Sequence, residues 1–66
     1  MDLNALYDAM EIGSLAILFK MTGEDEKAAA AFEQAREAAD ELGPLSTTGQ
    51  AIRIALEHAE QAEVVT

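Results

Sequence analysis

The chain has no cysteine and no tryptophan, one proline (Pro44), one histidine (His58), and Tyr7, Phe19 and Phe32 as its only aromatic side chains. Without cysteine no disulfide can brace the fold, and a structural zinc would lack both thiolates and a second imidazole. No metal and no other cofactor is therefore expected. Basic residues are scarce as well: 4 lysines and arginines stand against 13 acids, for a formal net charge of -9. That imbalance repels phosphate backbones and anionic lipid headgroups, so neither nucleic acid nor a membrane surface is an expected partner. Long apolar runs are missing too. Even the run from Leu15 to Phe19 falls far short of the roughly 20 residues that span a bilayer. An export signal would place Lys or Arg ahead of an apolar run, but Asp2 and Asp8 stand there, so the chain reads as cytoplasmic.

Alanine takes the largest share of the 50% of residues that are apolar, and small side chains let helices approach closely. A chain of 66 residues makes one domain, 1-66. A domain of that size buries only about 60% of the surface its unfolded form exposes. With disulfides and metal excluded, self-association or a partner protein is the remaining common source of stability.

Apolar positions recur at helical spacing over about 3-21, 24-42 and 48-62, and no strand alternation interrupts them, so the expected fold is all-α with three helices. Thr22-Gly23 and Gly43-Pro44 mark the turns. Thr22 with Asp25 has capping-box spacing at the second helix, and Glu24, Asp25 and Glu26 suit the positive end of its dipole. Ser46 or Thr47 can cap the third helix, and Thr47 with Gln50 repeats the box spacing. Arg36 with Asp40, and Arg53 with Glu57, are spaced to form ion pairs within a helix. The tail Val64-Val65-Thr66 is expected to fray.

The second helix carries one apolar stripe of Ala28, Ala31, Phe32, Ala35, Ala38, Ala39 and Leu42. The third gathers Ala51, Ile52, Ala55, Leu56, Ala59 and Ala62. The first differs, for at 100° per residue it shows two stripes on opposite sides. Ile12, Leu15, Ala16 and Phe19 form one; Leu3, Leu6, Tyr7, Met10, Ile17, Leu18 and Met21 form the other. Polar seams between them hold Asp2 and Lys20 on one side and Asn4, Asp8 and Glu11 on the other. Burying a large apolar side chain is worth roughly 1.5–3 kcal/mol, and the alanine-rich second and third helices have few large residues with which to cover both stripes. Unless the third helix folds over it, the second stripe is expected to meet another chain.

The run of Ile12, Leu15, Ala16 and Phe19, then Gly23 at the turn, then Ala28, Phe32 and Ala35, resembles a tetratricopeptide repeat. The resemblance covers less than half of the chain. It implies an antiparallel helical hairpin that binds protein, with the third helix (Ile52, Ala55, Leu56, Ala59) as a cap. It also implies a concave binding face at Met10, Gly13, Ile17, Lys20 and Met21. The pattern departs near Asp40, where the repeat's terminal proline would fall, and no second complete repeat follows.

Chemistry finds no foothold in the sequence. His58 lacks a nucleophile or a metal partner, and a histidine in the last turn of a helix complements the dipole. Ser14 stands outside any Gly-x-Ser-x-Gly context. Glu24, Asp25 and Glu26 lack the spaced ligands and central glycine of a calcium loop. The expectation is a non-enzymatic interaction module, working as a homo-oligomer or as a subunit of a larger assembly, with Leu6, Met10, Gly13, Ile17, Lys20 and Met21 as its protein-binding residues. The alternative is an acidic inhibitor or decoy that occupies a basic surface of a target protein and binds with steep salt dependence.

Overall fold

A computed structural model describes residues 3–62; Asp2 and the Val64-Val65-Thr66 tail lie outside them. The described chain is all-α: α1 spans Leu3–Met21, α2 Asp25–Asp40 and α3 Thr47–Gln61. Relative to the sequence expectation, α2 begins one residue later and ends two residues earlier, and α3 is displaced by one residue toward the N-terminus. The caps explain these shifts.

At the end of α1, Gly23 adopts a left-handed φ of 82°. Its N–H donates to the Lys20 carbonyl at 3.2 Å, and the Glu24 N–H donates to the Phe19 carbonyl at 2.8 Å. These bonds satisfy two orphan carbonyls and reverse the chain, as in a Schellman motif. The Thr22 hydroxyl turns back and donates to the carbonyls of Leu18 (3.0 Å) and Phe19 (3.1 Å), so the expected capping box with Asp25 does not form. Glu24 instead precedes α2, and its carboxylate takes the Lys27 ammonium at 3.0 Å.

A glycine also stops α2. Gly43 has φ of 100° and its N–H reaches the Asp40 carbonyl at 3.0 Å, while Pro44 has no N–H to extend the pattern. At α3 the cap is Ser46, whose hydroxyl accepts the Gly49 N–H at 3.1 Å. The Gln50 side chain donates to the Pro44 carbonyl at 2.9 Å rather than closing a box with Thr47.

The core is small. α1 turns Ala5, Ala9, Gly13 and Ala16 inward, α2 buries Ala28, Phe32, Ala35 and Ala39, and Leu56 comes from α3. Phe32 is the largest side chain sealed completely among the described residues, and Ile12, Phe19, Ala31, Ile52 and Ala59 pack around its cluster. The expected α2 stripe is thus buried or half-buried throughout. Of the expected inner stripe of α1, Ile12, Ala16 and Phe19 lie in or against the core, but Leu15 is 46% exposed, and Ala5 and Ala9 take inner positions in its place. Rows of methyl groups let two helices close up and leave room for one large ring, whereas a leucine in that row would hold them apart.

Two ion pairs set α3 antiparallel against α2. Arg36 reaches Glu60 and Arg53 reaches Asp40, both at 2.6 Å. The pairs expected within single helices, Arg36 with Asp40 and Arg53 with Glu57, give way to these cross-helix partners because each guanidinium lies at the edge of the α2–α3 contact. All four side chains are partly exposed, so each pair contributes at most about 1 kcal/mol and acts mainly on register.

Truncation of Phe32→Ala should cost about 3–5 kcal/mol, enough to abolish the cooperative thermal transition in so thin a core. Ser46→Ala should lower stability by about 1 kcal/mol while leaving helix content intact. Circular-dichroism melts report both.

Candidate functional site: the outer face of α1 and its groove with α3

Only part of the outer stripe of α1 is covered. Met10 is 57% exposed, Ile17 41% and Met21 61%, and Leu3, Tyr7 and Leu18 are open to water beside them. Among the described residues this is the largest run of exposed bulky apolar side chains on one helix. Contiguous exposed apolar side chains are a mark of contact surfaces.

On the side of this face toward α3, Leu56 seats on α1 at Gly13. A Cβ on Gly13 would come within 2.9 Å of Leu56 Cδ2, so the missing side chain is what lets α3 approach. Farther along, the Lys20 ammonium donates to the carbonyl oxygens of Ala59, at 2.9 Å, and Glu60. These belong to the final turn of α3, whose carbonyls lack helical partners and carry the negative end of the dipole. Two successive ties, at Gly13 and at Lys20, therefore run α3 parallel to α1. Between them opens an apolar groove of about 250 Å³, with Ala9, Met10, Gly13, Ser14 and Ile17 on one wall and Ile52, Ala55 and Leu56 on the other.

The residues singled out from sequence divide accordingly. Met10, Ile17 and Met21 face solvent and Leu6 is half-buried. Gly13 is buried beneath Leu56, and Lys20 is half-buried with its charge committed to α3. Gly13 and Lys20 thus hold the groove's walls together rather than meeting a partner. Sequence reasoning did not assign Ile52, Ala55 and Leu56 to this site. They were legible as an apolar stripe of α3, but nothing in their spacing said that the stripe would border α1.

The face is electrically neutral in a chain of net charge -9: Leu3, Tyr7, Met10, Ser14, Ile17, Leu18 and Met21 carry no charge. The Ser14 hydroxyl on this face already donates to the Met10 carbonyl at 2.9 Å, so covering that group strands no donor. Exposed acids border it on α1, at Asp8 and Glu11, and stand on α2 at Glu26, Glu33 and Glu37.

Elsewhere His58 is exposed in the last turn of α3, and neighbouring Glu60 is engaged by Arg36. Among the described residues no group of three His, Asp or Glu side chains could hold a metal ion, and no helix is long and apolar enough to cross a membrane. Compared with known proteins, the chain matches no family model, no curated protein and no solved structure.

Replacing Gly13→Leu should drive Leu56 and α3 away from α1 and destabilise by about 1–3 kcal/mol, as overpacking does. Ala30→Gln, at an exposed position of α2, should stay within about 0.5 kcal/mol of the parent. Denaturant midpoints of the two variants distinguish a position that builds the groove from one that faces outward.

Proposed function

We propose that this chain is a protein-interaction module that docks another polypeptide on the outer face of α1. The observation that carries the reading is the exposure of Met10, Ile17 and Met21 beside a groove walled by Ile52 and Leu56. Leaving that much apolar surface wet forgoes several kcal/mol in a domain where Phe32 is the one large side chain fully buried among the described residues, a cost that a partner would recover. Within this reading the α1–α2 hairpin acts as a single tetratricopeptide-like unit, α3 supplies the second wall of its binding face, and the protein serves as an oligomer or as a subunit of a cytoplasmic assembly. Docking rather than catalysis is its role.

Affinity capture from cells that make the protein tests the reading, with a Met10→Glu/Ile17→Glu double variant as control. Both positions are exposed, so the variant should keep its helical circular-dichroism spectrum. The expected outcome is a polypeptide, whether another copy or a different protein, retained by the parent and lost by the variant. Equal recovery on both would remove the face from the function.

A further inference from the structure

Along α1 the residues Leu3, Tyr7, Met10, Ser14, Ile17 and Met21 follow one another at alternating steps of four and three, the spacing of a coiled-coil seam, and every one of them is exposed. The seam lies on the side of the helix away from Ala5, Ala9 and Ala16, which are spent on the fold. α1 therefore has one face built for its own bundle and a second patterned to receive another helix.

We propose that the occupant is a second copy of the chain, with the two α1 helices packed antiparallel about a two-fold axis near Ile12; the inference rests on reading this face as the docking surface. Antiparallel pairing about that point is self-complementary over the whole seam: Leu3 meets the partner's Met21, Tyr7 meets the partner's Ile17, and Met10 meets the partner's Ser14. The match is steric as well as apolar. A long, adaptable methionine fills the space over the smallest seam residue, whereas a parallel pair would set Ser14 against its own copy and leave a gap at mid-seam. Met10 and Ser14 also line the groove, so the partner's Met10 reaches its mouth.

Charge favours the same face. Two chains of -9 repel through most of their surfaces, and the six seam residues are where both can touch through uncharged side chains. The one like-charge encounter the register creates is Glu11 with its own copy, at the seam's edge, where water and salt screen it.

Sedimentation equilibrium of the purified chain should show a monomer–dimer equilibrium, with Met10→Glu/Ile17→Glu weakening the dimer by ~100-fold or more because it buries unpaired charge. Register is read with single cysteines, which this cysteine-free chain accepts without ambiguity. A mixture of Tyr7→Cys and Ile17→Cys chains under oxidised glutathione should cross-link as the mixed pair. Two Tyr7→Cys chains alone should not, since the register sets those sites ~15 Å apart along the helices, beyond disulfide reach. A parent that stays monomeric at every concentration, or that cross-links through like positions, overturns the proposal. If the parent is monomeric while capture still yields a different protein lost with the double variant, the docking face stands and only the second copy falls; if capture fails too, both fall.

Discussion

Close approach of α1 and α2 across their inward alanines, with Phe32 as the large side chain sealed between them, is the contact on which the rest of the structure leans. Methyl groups on both surfaces bring the backbones near, and the ring then fills the space they leave. The same economy sets the limit. A core made of alanine removes little apolar surface per residue from water, and the bulkier residues of α1 have no place inside it. Leu3, Met10, Ile17 and Met21 are on the outside because Ala5, Ala9 and Ala16 occupy the inside.

The third helix is joined to this pair by few but specific contacts. Leu56 enters the core over Gly13, Lys20 binds the last carbonyls of α3, and Arg36 and Arg53 bridge α2 and α3. None of these is individually strong, since the ion pairs are half in water. Together they fix direction and register, leaving α3 beside the outer face of α1 without lying over it. That placement turns an apolar stripe into a groove with two walls, and so links a packing detail, the absence of a side chain at Gly13, to the surface on which function is proposed.

Much of this was legible in the residues. Helical spacing gave the three elements to within two residues, Gly23 and Gly43 marked their ends, and the stripe of α2 was read correctly because Phe32 and its alanines contrast sharply with Glu33, Glu37 and Asp40. The inward row of α1 was read less well. Alanine and glycine carry a weak hydropathy signal, so Ala5 and Ala9 were hidden beside Lys20 in what looked like a polar seam and Gly13 was assigned to the binding face, while the more apolar Leu15 drew the inner assignment it does not hold. The candidate face was legible only as a surplus of large side chains, without its second wall.

The amino-acid sequence by itself determined the number of helices, their turns, the acidic net charge, and an apolar surplus on α1, because these follow from local periodicity and composition. Only tertiary structure decided which side of α1 faces inward, which acids the arginines grip, that Ser46 alone caps α3, and that Gly13 is a seat for Leu56. Those outcomes depend on how closely two backbones approach, a distance set by steric bulk across the interface rather than by the pattern along either strand of sequence.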